Sequence, residues 1–224
     1  MARVASPAVN PALRPRLRSA TFISFLVITV SFVIMLGASW RRWLSPLTDS
    51  GREMDLPLRL LNGELLYRDI HYLYAPLSPY LNALLYRLFG IHLDVLQASG
   101  IAGAGIVIFL AFRIARRLLD PLDATVAVVC VLVWLVFKPY GNLISPYSYA
   151  ALHATIFALG SLLYCLRFHQ SSRISDLLIA ATLTGLAAVT KLEFALPAAA
   201  AVATAVLITG SFRPSLFLKR SALA

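Results

Sequence analysis

The sequence predicts an all-α membrane protein, a polytopic bundle of about six spanning helices with a long first outer loop. Hydrophobic residues make up 59% of the 224-residue chain and charged residues only 13%, whereas a soluble domain carries about a quarter charged residues. Several windows without charged residues are long enough to cross a bilayer core, which takes about 20 residues. The net charge of +10 would suggest nucleic acid in a soluble protein, but here basic residues mark cytoplasmic loops, so no nucleic-acid partner is expected.

The first spanning helix is predicted at Ser19–Trp40, after a Pro-, Arg- and Ala-rich segment, residues 1–18, that is predicted to be disordered and cytoplasmic. Its apolar stretch is longer than the core of a cleaved signal peptide, which has about 7–15 residues. It ends at Trp40 and Trp43, an aromatic pattern typical of the membrane interface. We therefore interpret it as an uncleaved signal-anchor.

Five further spans follow from the apolar windows. Three are long, and two are shorter but can be extended by a lysine whose ammonium reaches the interface, Lys138 or Lys191. The long windows are Val95–Phe112, one span within Pro139–Leu166 that begins near Tyr147, and Phe194–Phe212, and the shorter windows are Ala124–Phe137 and Leu177–Thr190.

The distribution of basic residues predicts the orientation. With the N-terminus inside, the cytoplasmic segments are strongly basic and the outer segments are nearly balanced in charge, as the positive-inside rule requires. The basic residues near the inner span ends are Arg14, Arg16, Arg18, Arg113, Arg116, Arg117, Arg167, Arg173, Arg213, Lys219 and Arg220. The prediction is N-in and C-in in the inner (cytoplasmic) membrane, with a transmembrane domain over residues 19–212, an outer loop over 41–94 and a cytoplasmic tail over 213–224.

Two short helices are predicted within the outer loop. Residues 70–86 are free of formal charge, but their prolines and tyrosines, and the charge bias of every later loop, argue against a span. Pro79–Leu88 instead places Leu81, Leu84, Leu85 and Leu88 on one face, typical of an interfacial helix. The other helix covers Gly51–Leu61 and is predicted to end at Asn62-Gly63.

The acidic residues of the outer loop are the first candidates for chemistry. Asp49 follows the first span closely, and a carboxylate at a low-dielectric boundary has a raised pKa and can act as a base. Glu53 lies four residues later, on the same face if the segment is helical. Arg52 between them could hold a phosphate by a bidentate contact. The alternative is a solvated loop face, which we favour for Asp55 and Glu64.

Other polar residues have a structural and a functional interpretation. Asp69 either contributes to substrate binding or pins the turn before His71, itself a candidate acid or base. Tyr74 is either an ordinary interfacial tyrosine or a residue that stacks on a sugar or bonds to a phosphate. His153, in the outer part of the fourth span, either lines a cavity or bonds to a neighbouring helix.

The second polar signal is TKLEF, Thr190–Phe194, between the fifth and sixth spans. The structural interpretation is a tight interfacial hairpin with Lys191 and Glu193 reaching towards the headgroups. In the functional interpretation, Lys191 supplies positive charge to an outward-facing cavity suited to a lipid phosphate, with Glu193 beside it.

With these residues placed, the chain resembles the polytopic C-type (GT-C) glycosyltransferases that use polyprenyl-phosphate sugars. It is most similar to bacterial relatives of protein mannosyltransferases and of lipid A aminoarabinose transferases. The resemblance covers roughly residues 21–210 and rests on Asp49 in DSGRE, the block NGELLYRDIHYLYAPLSPYLNALLYRLFG, the short-loop topology and GLAAVTKLEF at Gly185–Phe194.

The resemblance implies an integral-membrane transferase that moves a sugar from a polyprenyl-phosphate donor to a lipid, glycan or protein acceptor on the outer face. An acid of the first outer loop would be the base, a position that Asp49 matches best and Glu53 more loosely, and Lys191 matches a donor-phosphate contact. Some relatives bind a divalent metal near such acids, and the sequence leaves open whether Asp49 and Glu53 do so. Membrane lipids and the polyprenyl-phosphate sugar are the expected partners.

The chain departs from the resemblance in length. Family members usually carry more spans, so we expect a truncated N-terminal part, or a chain that needs a partner chain to supply the missing spans. The rival hypothesis is a non-catalytic membrane protein: a transporter, a flippase-like unit or an inactive fragment. Such a protein more often carries ionisable residues at mid-membrane, whereas the polar residues here are concentrated in an outer loop, which favours the enzyme.

Overall fold

A computed structural model describes residues 13–42, 50–139 and 142–212, with side chains for 19–42, 51–139 and 142–209. Every named element in this part of the chain is helical. The elements are α1 (Leu13–Ala38), α2 (Ser50–Leu61), α3 (Leu77–Phe89), α4 (Leu93–Leu118), α5 (Pro121–Val131) with a π-helical continuation (Leu132–Val136), α6 (Tyr149–Ser171), α7 (Ile174–Ala188) and α8 (Leu192–Phe212). The predicted all-α fold is confirmed.

Four helices are long and apolar enough to cross a membrane, and they correspond to the four long predicted windows. They are Ser19–Ala38, Leu93–Leu118, Tyr149–Ser171 and Leu192–Thr209. The two shorter predicted spans correspond to the shorter apolar helices Pro121–Val136 and Ile174–Ala188. A multi-pass membrane protein is thus supported, while the number of six crossings and the orientation stay predictions.

The first helix begins earlier than expected. α1 starts at Leu13, inside the segment predicted to be disordered. Pro15 lies in the first turn, where proline is tolerated because the missing N–H has no intrahelical partner there. Leucine and arginine, which fill the rest of this turn, are good helix formers.

Helices α1 and α4 to α8 run alternately between two ends of the bundle. At one end, which we call the basic end, Ser24 of α1 donates to the Pro121 carbonyl oxygen at 3.2 Å, and Arg167 pairs with Asp176 at 3.1 Å. At the other end, which we call the site end, the hydroxyl of Tyr149 donates to the carbonyl oxygen of Leu96 at 2.6 Å. α4, α6 and α8 begin at the site end.

The two short helices predicted between the first two spans are present as α2 and α3, and both lie at the site end. α2 ends at Leu61, and Gly63 has φ +90°, the conformation expected of a glycine stop signal. α3 turns a face containing Ser78 and Asn82 into the protein. Leu84 and Leu88 are exposed on the other face, so the predicted leucine face is available to the interface.

The core is continuous between α4, α5 and α6, and it depends on small residues in α4. Gly103 leaves room for the side chain of Leu152 on α6. A Cβ on Gly100 would overlap the backbone carbonyl of Ile144. The irregular segment 142–148 therefore packs directly on the α4 backbone, and this packing fixes where the chain enters α6.

Candidate functional site

Lys191 lies at the centre of the most distinctive polar arrangement at the site end. Its ammonium donates a hydrogen bond to the Tyr147 hydroxyl at 2.8 Å. It also lies 4.2 Å from the ring centroid of Tyr74 and 6.0 Å from that of Phe194. Aromatic faces attract cations. The rings of Tyr74, Tyr147 and Phe194, which we call the cage, therefore stabilise the ammonium in a position where Lys191 is only 6% exposed.

Hydrogen bonds at the C-terminal end of α7 fix the backbone around Lys191. The Lys191 N–H donates to the Ala187 carbonyl oxygen at 2.7 Å, and the Thr190 hydroxyl donates to the Leu186 carbonyl oxygen at 2.7 Å. The N–H of Leu77, at the start of α3, donates to the Val189 carbonyl at 3.0 Å. The TKLEF connection is thus a tight hairpin that is tied to α3. The Lys191 side chain, however, is buried and does not extend outwards as the structural interpretation expects.

Lys191 is positively charged at neutral pH. Burial acts to lower the pKa of its ammonium, but the hydrogen bond with Tyr147 and the neighbouring Tyr74 and Glu193 outweigh this, so the pKa is raised above its usual value. The ammonium has three donors, and Tyr147 takes one. Lys191 can therefore give further hydrogen bonds to an anionic group.

An open groove of about 450 Å³ lies beside this cage. Tyr74 and Glu193 supply its polar groups, and the rest of its wall is apolar: Leu73, Ala75, Leu192 and Leu196. The groove brings together two predicted site residues, Tyr74 and Glu193. Lys191 is not part of its lining, but its ammonium lies 4.2 Å from the centroid of the Tyr74 ring that lines the groove. A ligand with an apolar chain and a charged head suits such a wall.

Tyr147 reaches Lys191 because the segment 142–148 is rigid. The Asn142 side chain accepts hydrogen bonds from the backbone of Ile144 at 3.0 Å and Ser145 at 2.8 Å, a turn typical of asparagine. Ile144 is fully buried against Gly100. The turn-rich segment thus positions a tyrosine as well as connecting two helices.

Glu53 joins α2 to the start of α6. Its carboxylate accepts a hydrogen bond from the backbone N–H of Tyr149 at 2.9 Å, while Ser148 makes no side-chain cap bond. A carboxylate at a helix N-terminus satisfies an orphan donor and is favoured by the helix dipole. Arg52 lies 3.7 Å from the other carboxylate oxygen. The observed contacts give Glu53 a positioning role, and its predicted catalytic role stays a prediction.

Tyr72 and Tyr74 connect the Glu53 contact on α2 to the cage around Lys191. Their rings meet edge to face with centroids 5.6 Å apart, and Tyr72 packs against Leu56 of α2. Burial, and the charge of Glu53 after it, raise the pKa of the Tyr72 hydroxyl. Tyr72 is therefore a neutral, buried spacer between α2 and the groove.

His153 bonds to a neighbouring helix, one of its two predicted alternatives. Its Nδ1 lies 2.9 Å from the Ser78 hydroxyl of α3. Its ring lies 6.1 Å from that of Tyr149. The lining of the open groove near Tyr74 does not include His153, and a role in substrate binding stays a prediction.

Asp69 and His71 lie in an exposed loop. The Asp69 carboxylate accepts from the Leu65 N–H at 2.8 Å, which pins the turn as the structural interpretation expects. The adjacent Arg68 guanidinium, and then this backbone bond, lower the pKa of Asp69 to about 2. Arg59 binds Glu64 and the Asp69 carbonyl, and these contacts hold the loop to α2.

Asp49, the predicted base, lies outside the described residues, which resume at Ser50. Trp43 and the tail from residue 213 lie outside them as well. Within the described ranges, no three His, Cys, Asp or Glu side chains are arranged to hold a metal ion. The Glu53 carboxylate in particular is directed at the α6 N-terminus, so the question of a metal at Asp49 and Glu53 stays open.

Sequence reasoning did not select Tyr147, Tyr149 or Ser78 for the site. Strict alternation of the helices places the segment before α6 at the same end as Lys191. That signal could have drawn attention to the two tyrosines in SPYSY. The pairing of Ser78 with His153 had no such signal, because it depends on the direction in which α3 crosses α6.

Four helices that are long and apolar enough to cross a membrane define a multi-pass membrane protein, and its candidate site lies at the end that we call the site end. The family model described as dolichyl-phosphate-mannose-protein mannosyltransferase matches residues 74–223. The chain belongs to this family and is a membrane glycosyltransferase of the GT-C kind. Searches of curated proteins and of solved structures gave no significant match.

The family match begins at Tyr74 and therefore includes Tyr147, Lys191 and Glu193. The predicted acids Asp49 and Glu53 precede the matched range. The likeness of Asp49 and Glu53 to the acids of related enzymes therefore rests only on their position in this sequence. Lys191 and its cage, in contrast, lie within the residues that the family model matches.

Proposed function

We propose that this protein transfers a sugar from a polyprenyl-phosphate donor to a lipid, glycan or protein acceptor on the outer face of the inner membrane. The observation that carries the proposal is the caged ammonium of Lys191 beside an open, mostly apolar groove. A lipid phosphate needs both a fixed cation and an apolar wall.

In this proposal Lys191 and Arg52 stabilise the phosphate of the donor as it becomes the leaving group. Charge develops on the phosphate oxygen as the bond to the anomeric carbon breaks, so a preorganised cation lowers the barrier. Tyr147 and Tyr74 keep the ammonium of Lys191 in place before the donor arrives. Preorganisation matters because the cation then does not have to reorient during the reaction.

Asp49 is the proposed base. The acceptor hydroxyl attacks the anomeric carbon and gives its proton to the Asp49 carboxylate, the carbon–oxygen bond to the phosphate breaks, and the polyprenyl phosphate leaves with its charge. The transfer inverts the anomeric centre because attack occurs opposite the leaving group. Glu53 holds α2, which begins directly after Asp49 in the chain, against the start of α6.

The test compares Asp49→Asn with Asp55→Asn in the purified chain reconstituted in liposomes with a polyprenyl-phosphate sugar. Asp55 is an exposed carboxylate of α2 and serves as the matched control. We expect Asp49→Asn to reduce transfer by roughly 10²–10⁴-fold, the usual contribution of a general base, and Asp55→Asn to leave transfer unchanged. Membrane insertion should be the same for both. Undiminished transfer by Asp49→Asn would refute the assignment of the base.

A further inference from the structure

A second groove runs between α1 and α4, in the half of the bundle that leads to the basic end. Its volume is about 240 Å³, and its wall consists of aromatic and aliphatic residues with one threonine: Phe25, Ile28, Thr29, Phe32, Gly105, Ile108, Phe109 and Phe112. None of these residues belongs to the candidate site at the other end. Ile28, Ile108 and Phe112 also belong to the core, whereas the proposed reaction does not use this groove.

We infer that this groove binds an anionic phospholipid of the surrounding bilayer, with an acyl chain between α1 and α4 and the phosphate at Arg113 and Arg116. The two arginines lie four residues beyond Phe109 and Phe112. Residues four apart share a helix face, so both arginines continue the groove face towards the headgroup layer. The apolar wall of the groove would thus contact the acyl chain, and the two arginines beyond it would contact the phosphate.

The arginine geometry supports an anion at this position. The Arg113 guanidinium lies 5.7 Å from the ring centroid of Phe109, which directs it over the groove wall. Arg116 bonds to the Leu119 carbonyl at 2.8 Å and reaches Thr21 at 3.5 Å. Its Nε is buried and has no hydrogen-bond partner within the described part of the chain. This nitrogen is shielded from the surface, so a phosphate would contact the exposed guanidinium of Arg113 and the terminal nitrogens of Arg116.

The acids at this end do not neutralise the two arginines. Asp120 accepts hydrogen bonds from the backbone N–H groups of Leu122 and Asp123 at the start of α5. Asp176 is paired with Arg167. The arginines at this end also outnumber its acids, with Arg113, Arg116, Arg117, Arg167 and Arg173 against Asp120, Asp123 and Asp176. The net charge there is positive, which favours an anionic headgroup over a zwitterionic one.

The groove has the dimensions of an acyl chain segment. From Gly105 to Phe112 it covers about 10 Å of helix at 1.5 Å per residue, or roughly a third of a bilayer core of about 30 Å. The space beside Gly105 is open, since a Cβ at this position would meet nothing within 4 Å. A polyprenyl-phosphate donor bound for the proposed reaction would place its phosphate at the site end, so a bilayer phospholipid is the occupant that fits.

The experiment is a native mass spectrometry titration of the purified full chain with phosphatidylglycerol and with phosphatidylethanolamine. We expect the wild type to bind phosphatidylglycerol at least about tenfold more tightly, since each arginine near the surface contributes roughly fivefold. The double variant Arg113→Gln/Arg116→Gln should lose this preference. Gly105→Leu should fill the groove and weaken the binding of both lipids.

Two control variants separate the groove from general effects. Arg173→Gln removes an exposed arginine at the same end, and Gly185→Leu adds the same side chain on α7, where a Cβ also meets nothing within 4 Å. Both should bind phosphatidylglycerol as the wild type does. Circular dichroism of each variant verifies the helical fold, and if the double arginine variant is unfolded, Gly105→Leu decides alone.

Three results would overturn the inference. The first is equal binding of the two lipids by the wild type. The second is undiminished binding of phosphatidylglycerol by a folded Gly105→Leu variant. The third is a polyprenyl phosphate that displaces phosphatidylglycerol from the wild type more readily than phosphatidylglycerol itself does, because the groove would then belong to the donor.

Discussion

The Lys191 ammonium donates a hydrogen bond to the Tyr147 hydroxyl at 2.8 Å, and this bond connects the start of α8 to the segment that leads into α6. The two residues are far apart in sequence, and each is held by its own local turn. The cation of the candidate site therefore depends on two rigid connections, and either can be tested without changing the other.

Replacing Lys191 by methionine should weaken the binding of a polyprenyl-phosphate sugar by roughly 10- to 150-fold. The variant keeps the apolar stem but removes a charged hydrogen bond, which contributes about 1.5–3 kcal/mol. Tyr147→Phe retains the ring and removes only the hydroxyl, so it should weaken binding by less than about tenfold. Equilibrium titration of the detergent-solubilised chain with the donor measures both.

Lys138→Met is the matched control, because Lys138 is the other lysine at the site end and is not part of the cage. It should bind the donor as the wild type does. Equal losses in Lys191→Met and Lys138→Met would show that net charge alone attracts the donor, and the cage would then have no specific part in binding.

The contribution of Lys191 to the affinity for the donor should stay constant between about pH 6 and pH 9. The pKa of Lys191 is raised above its ordinary value of 10.5. The stabilisation from its charged form is thus fully present below 10.5 and is lost only as the pH rises through the higher pKa of the folded protein. Donor titration at several pH values measures this, and a decline centred near neutral pH that is absent in Lys191→Met would contradict it.

Glu53→Ala should destabilise the protein by about 1–2 kcal/mol, because it removes the carboxylate that accepts the hydrogen bond of the Tyr149 N–H. Glu53→Gln keeps an acceptor oxygen and should fold with a smaller loss. Thermal unfolding of the reconstituted chain measures the stability, and a sugar-transfer assay on the same samples measures the activity.

The glutamine variant separates positioning from catalysis. If Glu53 acts only by holding α2 against α6, a folded Glu53→Gln variant should transfer sugar within about tenfold of the wild type, whereas loss of an acid or base costs about 10²–10⁴-fold. A larger loss without destabilisation would assign chemistry to the carboxylate. Asp55→Asn on the same helix is the control for a change of charge.

Asp69 should not determine the pH profile of sugar transfer in the range where the enzyme is assayed. Its pKa is lowered to about 2, so the stabilisation of its turn is present above the ordinary value near 4 and is lost only as the pH falls through about 2. Any acid limb between about pH 4 and pH 7 should persist unchanged in Asp69→Asn. A shifted limb in this variant would place Asp69 in the reaction.

The helices were predictable from the sequence because their signals are local. Charge-free windows located the long helices, the leucine spacing located α3, and Asn62-Gly63 marked the end of α2. Lys191 was also predictable as a candidate, since a lysine between two apolar runs is unusual. What the sequence did not reveal is the cage, because the contact between Tyr74 and Lys191 depends on how the outer-loop helices dock on the bundle.

Glu53 illustrates why a role is harder to predict than a position. The sequence places Glu53 on a short helix near the first span and therefore suggests a catalytic acid. The structure directs its carboxylate to the N–H of Tyr149, a residue ninety-six positions later in the chain. A long-range cap of this kind has no periodic signature, since it depends on the meeting of two helices that are each predicted independently.

Gly100→Ala should be strongly destabilising and should also weaken donor binding. A Cβ at this position would overlap the backbone carbonyl of Ile144, and backbone cannot move aside as a flexible side chain can, so we expect a loss of about 1–3 kcal/mol. The displaced segment carries Tyr147, which would move away from Lys191. Thermal unfolding and donor titration of the same variant measure the two effects.

Gly105→Ala on the same helix is the control, because a Cβ at Gly105 meets nothing within 4 Å. Alanine is favoured over glycine in a helix by about 1 kcal/mol, so this variant should be as stable as the wild type or more so. If Gly100→Ala were as stable as Gly105→Ala and bound the donor normally, the segment 142–148 could not be packed on the α4 backbone. The position of Tyr147 beside Lys191 would then need another cause.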